Sequence, residues 1–228
     1  MNWQPQVDYA RLKYFPVGSS AAPARQGECM SRDDMRFLLS GRVIVEEKMD
    51  GTPRSFSAGG KYLVFAEDLK HTGLVKYRIP GRYAVFDVFD HEKRVFLDYG
   101  DKAEITNDIR KGMFRMDGLK PGDFFHVPPV NSGIFNDINE IILLMGNSAY
   151  AADFSTSRSA LMEGLVVKPN RELFQEEQLR GQIVRREFME SSGLIIPNGE
   201  NLIDPRVGVV MCHDIAEKVR DISRLLYS

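Results

Sequence analysis

Apolar and polar residues along the chain fall into blocks with two different periods. Ser31 is followed by Asp34, and Met35, Leu38 and Leu39 recur at helical spacing up to Gly41, which predicts a short helix capped by Ser31. The β-branched run Val43-Ile44-Val45 then predicts a strand ending at Lys48, where Asp50-Gly51 turns the chain. Residues 54–58 and 62–66 read as a hairpin about Gly59-Gly60, opening into a polar loop over 67–73 that holds His71. The stretch 82–90 is the most apolar strand, yet it contains Asp87. Strict alternation sets Asp87 on the side of Val85 and Phe89, and an unpaired buried carboxylate is costly, so a cleft is expected there.

Further along, 98–122 is charged and turn-rich and reads as helix and loop on the outside. The strand over 124–130 is stopped by Pro128 and Pro129, and Ile138, Ile141, Ile142 and Met145 give a helical stripe within 134–145. Residues 161–169 form an apolar strand with Glu163, Gly164 and Lys168 near its ends. A last short strand over 182–188 carries Arg185 and Arg186, which must face opposite ways. The first 30 residues read as an arm with a short strand near Leu12–Phe15. The tail reads as a helix with its stripe at Met211, Ile215, Val219, Ile222 and Leu226.

At 228 residues, 43% apolar and 27% charged, the chain fits one globular domain of α+β type. A net charge of -2 gives no overall basic field, though it leaves room for a local basic groove. Cys29 and Cys212 are too far apart to suggest a zinc site or a disulfide framework. With no 18-residue apolar run and no signal-like start, the expectation is a cytoplasmic monomer without a membrane anchor.

Lys48 is the residue with most chemical promise. A free lysine has a pKa of about 10.4, so use as a nucleophile near neutral pH needs roughly 4 kcal/mol of help from desolvation or a nearby cation. A buried strand that ends at a cleft can supply it. The plainer reading of the same residues is a hairpin whose Asp-Gly turn follows a surface lysine.

Lys48-Met49-Asp50-Gly51, Phe86-Asp87-Val88-Phe89-Asp90 and Glu163-Gly164-Leu165-Val166-Val167-Lys168 resemble, in order and rough spacing, motifs I, III and IV of the covalent nucleotidyltransferases, the polynucleotide ligases and mRNA capping enzymes. Glu47 before the lysine, Gly51-Thr52 after it and the stretch from Ala66 to Tyr77 look like the ATP-dependent RNA ligases in particular. The resemblance implies a two-sheet adenylation core over 1–190 and a small extension over 191–228 that ends in a helix, with no OB domain. It implies ATP and Mg²⁺, with Mn²⁺ as a possible substitute, and an RNA partner with 5′-phosphate and 3′-hydroxyl ends.

By that resemblance Lys48 attacks the α-phosphate of ATP, Lys168 lies at that phosphate, and Glu163 acts near a metal or the ribose with Asp87 as second carboxylate. Phe86 stacks on the adenine, Glu47 lies by the base, Asp50 and Gly51 belong to the nucleotide site, and Arg54 and Lys70 are the cations for phosphate and RNA. The sequence departs from the pattern at motif V, where Gln182-Ile183-Val184-Arg185-Arg186 stands in place of a lysine pair. Arg185, which alternates with Ile183, is expected to enter the cleft. A GTP-dependent capping enzyme, a DNA ligase without its OB domain, or a nucleotide- or RNA-binding module of the same fold are the alternatives.

Overall fold

Val43, Ile44 and Val45 form a strand because they are buried on both faces, and that strand becomes the centre of a sheet. The computed structural model describes residues 9, 12–15, 30–71, 75–116, 118–152, 160–177 and 179–185, with the backbone alone at 13–14, 203–204 and 209–210. In chain order the elements are β1 (Lys13–Tyr14), α1 (Arg32–Leu39), β2 (Val43–Lys48), β3 (Thr52–Ala58), β4 (Tyr62–Asp68), β5 (Tyr83–Asp90), β6 (Val95–Phe96), α2 (Tyr99–Arg110), β7 (Phe124–His126), β8 (Pro129–Gly133), α3 (Ile138–Ile142), β9 (Gly164–Pro169), β10 (Leu173–Phe174), β11 (Gly181–Val184), β12 (Ile203–Asp204) and β13 (Val209–Val210). Among the described residues the architecture is α+β, with more strand than helix.

Two sheets carry the site. The first has the order β1-β11-β9-β2-β8; the second runs β10-β6-β5-β4-β3, with β7 added beside β5. β2 and β3 lie in different sheets, so Asp50-Gly51 carries the chain from one sheet to the other and closes no hairpin. Gly51 is required at this crossing: a Cβ there would lie 2.8 Å from Leu69 Cδ2 and 3.0 Å from the Asp68 carbonyl oxygen. The expected hairpin is β3–β4, and Gly59 and Gly60 both take positive φ at its turn.

One core lies on the outer face of the first sheet, where Val43, Val45, Leu165, Val167 and Ile183 meet Leu38 of α1 and Ile138, Ile141 and Ile142 of α3. The Ser31 hydroxyl caps α1 by accepting from the Asp34 N–H at 3.0 Å. A second core joins Val64, Ala66, Val85 and Val88 to Ile109 of α2 and Phe124 of β7. The other face of the second sheet is aromatic, with Phe65, Phe89 and Phe96 in one cluster and Ala84, Phe125 and Met49 in another; Phe86 touches both.

The structure differs from expectation in several places. β5 is bulged at Phe86: Val85 pairs with Ala66 and Asp87 with Phe65, so Val85 joins the α2 core while Asp87 goes to the opposite face with Phe89. The strand that starts at Phe124 does stop before Pro128, but a separate strand, β8, begins at Pro129 on an edge of the first sheet, and α3 is shorter than its stripe implied. α2 is not merely an outer helix, since its Lys102 is 1% exposed and points between the sheets. The C-terminal extension includes the antiparallel pair β12–β13, which the sequence did not suggest. The expected tail helix lies outside the described residues. Among the described residues no helix is long and apolar enough to cross a membrane.

Candidate active site

Lys48 ends β2 and pairs with Gly164 at the start of β9, so the lysine and residue 163 arrive at the same end of the first sheet. Its Nζ donates to Glu163 Oε1 at 2.5 Å, and the two side chains are 24% and 12% exposed. Gly164 permits this meeting, because β11 crosses so closely that a Cβ would lie 2.0 Å from the Ile183 carbonyl oxygen. Burial raises the Glu163 pKa, partly offset by Lys48.

Glu67 of β4 lies within electrostatic reach of Lys48, Glu163 and Asp50. Burial is the main cause that lifts the Glu67 pKa to about 7; Lys48 opposes it, while Glu163 and Asp50 add to it. Glu67 Oε2 is buried without a hydrogen-bond partner. Asp50 is fixed from the 75–77 segment: its N–H donates to the Tyr77 hydroxyl at 2.9 Å, and its Oδ2 accepts from the Val75 N–H at 3.3 Å. Glu163, Glu67 and Asp50 offer oxygen donors near Lys48, the donor type that suits Mg²⁺ or Mn²⁺. Among the described residues no three of His, Cys, Asp and Glu converge tightly enough to hold a metal by themselves.

In each of three central strands, one residue is not fully buried: Lys48 in β2, Phe86 in β5 and Val166 in β9. Cross-strand neighbours share a face, so Val166, opposite Glu46, lies on the face of Lys48. Lys168, on that same face, donates to the Phe86 carbonyl at 2.7 Å, which brings the bulged part of β5 against it. Two apolar side chains and a lysine thus open on the gap between the sheets.

One strand step deeper the gap is filled by charge. Glu46, 1% exposed, is bonded by both Lys102 and Lys168. Lys168 also lies 3.1 Å from Asp87 Oδ1, while Asp87 Oδ2 accepts from the Tyr9 hydroxyl at 2.7 Å and is 3.3 Å from Arg180 Nε. Burial would raise the Asp87 pKa, but Lys168 and Arg180 outweigh it and hold the group below its usual value.

Lys48, Asp50, Gly51 and Glu163 are therefore together, and Phe86 faces the same gap. Several other expected residues are placed elsewhere. Lys168 is four strand positions from the level of Lys48, about 13 Å, and is 6% exposed, so it is not presented at an α-phosphate beside Lys48. Asp87 is taken up by Lys168, Arg180 and Tyr9 and is not free to join Glu163 on a metal. Glu47 pairs with Leu165 on the core face; its Oε2 accepts from the Ala149 N–H at 3.1 Å, and burial raises its pKa.

Arg54 pairs with Ala66 on the face of the α2 core, near Asp68, and Lys70 is exposed just after β4. Arg185 continues the alternation of Ile183, whose side chain is in the first core, so its position is on the face opposite Lys48, and it is 4% exposed. Gln182 and Val184 take the face of Lys48 instead. Arg186 lies outside the described residues. Glu46, Lys102 and Arg180 were not singled out from sequence, and Glu67 and Tyr77 lie in the 66–77 stretch that the resemblance uses, with no role given to either. Glu67 alone had a local signal, a carboxylate at the far end of the hairpin that starts from Lys48.

No protein-family model matches the chain, and no curated protein sequence matches it. Among solved structures the chain is similar to Naegleria gruberi RNA ligase: to a mutant with ATP and Mn, at 13% identity and TM-score 0.48 over 85% of this chain and 65% of that one; to the form with pyrophosphate, at 13% identity and TM-score 0.46 over 84% and 64%; and to a mutant with AMP and Mn, at 13% identity and TM-score 0.46 over 70% and 54%. This chain spans 65% of the length of the first of these and less of the other two.

Proposed function

We propose that this chain is an ATP-dependent RNA ligase that works through a covalent lysine–AMP intermediate, with residues 1–190 as the adenylation core and 191–228 as a short extension. The observation that carries this reading is the opening of β2, β5 and β9 at Lys48, Phe86 and Val166, with Glu163 against the lysine. Phe86 and Val166 supply an apolar slot for a flat base, and Lys48 stands where the nucleotide's phosphates would follow.

In the first step Lys48 Nζ attacks the α-phosphorus, the bond to pyrophosphate breaks, and the proton leaves Nζ for Glu163, whose carboxylate is in contact and whose pKa burial raises. Glu163 and Glu67 are the carboxylates that would hold a divalent ion, which would supply charge neutralisation on the phosphates. AMP then passes to a 5′-phosphate of RNA, and the 3′-hydroxyl of the second end displaces AMP as the phosphodiester forms. Lys168 and Asp87 act as positioning residues: Lys168 fixes the Phe86 carbonyl and Asp87 holds Lys168.

The face taken by Arg185 favours one competing reading, a nucleotide- or RNA-binding module without turnover, because no described arginine replaces the motif V lysines beside Lys48. Incubation with each α-labelled nucleoside triphosphate and Mg²⁺, followed by denaturing electrophoresis, separates the readings. Label from ATP on the protein supports the ligase, label from GTP alone points to capping, and an unlabelled protein leaves the binding module.

A further inference from the structure

The side chains nearest Lys48 are carboxylates, and positive charge lies just outside them. From Leu69 to Phe86 the chain carries Lys70, Lys76, Arg78 and Arg82 and not one aspartate or glutamate, in a protein whose net charge is -2. Such a stretch builds a local positive field that the net charge conceals. Arg82 is spent on Asp68, whose two oxygens accept from its Nε and Nη2 at 2.7 and 2.6 Å. Lys76 and Arg78 are exposed, and they make no ion pair with another described residue.

The backbone sets these two cations side by side. Residues 76–80 alternate between exposed and half-buried, and Tyr77 and Ile79 turn into the cluster that holds Met49 and Phe125, so Lys76 and Arg78 share the outer side. The segment is held from two directions. Tyr77 bridges to Ala151, with the Arg78 N–H donating to the Tyr150 carbonyl and the Ala152 N–H to the Lys76 carbonyl, both at 2.7 Å. The Tyr77 hydroxyl and the Val75 N–H meet Asp50, two residues past Lys48. Two residues of extended chain space the cations by about 7 Å, the scale on which phosphates repeat along a nucleic-acid strand. We infer that Lys76 and Arg78 form a track for the backbone of one RNA strand at the rim of the Lys48 site, each taking one of two successive phosphates. Contacts of this kind fix a strand's position without reading its sequence. That the polyanion is RNA rests on the ligase reading.

The test measures binding of a fluorescent, 5′-phosphorylated single-stranded oligoribonucleotide to the full chain by anisotropy across a salt series, beside labelling by ATP. Each phosphate contact on a single strand contributes about 0.7 to the slope of log affinity against log salt, so the double variant Lys76→Ala with Arg78→Ala should lose about 1.4 of that slope and bind about tenfold more weakly, equally for oligonucleotides of different sequence. Lys111→Ala with Lys120→Ala removes the same charge from exposed positions after α2 and should leave the slope unchanged. Labelling by ATP should be unchanged in both. Equal slopes in the two double variants overturn the track, as does a wild-type chain that binds no RNA. A raised KM for ATP in the Lys76 and Arg78 variant also overturns it, since the two cations would then serve the triphosphate. A wild-type chain that ATP does not label but that binds RNA with this slope loses the ligase reading and keeps the track; labelling by ATP with no loss of slope in the variant loses the track alone.

Discussion

Replacing Gly164 by alanine probes the joint that brings Lys48 and Glu163 together. The new Cβ would lie 2.0 Å from the Ile183 carbonyl oxygen and 3.0 Å from the Val184 Cα, atoms of backbone that cannot swing away as a side chain would. Relief requires β9 and β11 to move apart across a ladder that pairs 164–167 with 181–184. Overpacking by a methyl group costs about 1–3 kcal/mol, and a clash with a strand belongs at the upper end, so we expect a loss of about 3 kcal/mol. For a chain of this size that lowers Tm by roughly 6–12 °C. Gly41 is the control, since no atom lies within 4 Å of its added Cβ, and Gly41→Ala should change stability by less than about 1 kcal/mol. Thermal unfolding by circular dichroism reads both. A Gly164→Ala chain that melts within about 2 °C of the Gly41→Ala control would refute the β9–β11 packing and with it the placement of Glu163.

Three further outcomes are expected. Glu67 has a folded-state pKa near 7, above that of an unfolded glutamate, so its contribution is fully present below about pH 4.5 and is lost as pH rises through 7; Glu67→Gln should gain on wild type by up to about 3 kcal/mol between pH 5 and pH 8, and a constant difference in Tm across that range would exclude the effect. Phe86→Ala should raise the KM for ATP about tenfold by removing a stacking face while changing kcat less, and an unchanged KM would remove Phe86 from the base slot. Arg185→Ala should lower Tm through loss of a buried cation yet leave labelling of the folded protein within about threefold, whereas a hundredfold loss of labelling at full stability would return Arg185 to the phosphates.

Local signals carried much of this architecture. Ser31 to Gly41, the β-branched run into Lys48, the Gly59-Gly60 hairpin and the strand after Glu163 are each written within a few residues, and the structure follows them. What escaped is non-local. The bulge at Phe86 cannot be read from a period-two pattern, and it decides that Asp87 faces Lys168 and not the α2 core. Lys102 looked like one more charge in a solvated helix, because nothing in 98–122 reveals that Glu46, 56 residues earlier, is its partner. Arg185 was assigned to the cleft by alternation with Ile183, but alternation fixes only which residues share a face; the β9–β11 register fixes which face that is. Glu163 and Lys48 are 115 residues apart, and motif resemblance rather than spacing linked them before the ladder did.

The central claim is that Lys48 itself carries the nucleotide. The chain is to be incubated with ATP and Mg²⁺, digested, and its peptides mapped by mass spectrometry for covalent AMP, in parallel with Lys48→Ala. The account predicts AMP on the peptide that contains Lys48, reversal by added pyrophosphate, and no modification in the variant. AMP on another lysine, such as Lys168 or Lys102, or equal modification of Lys48→Ala, would contradict it.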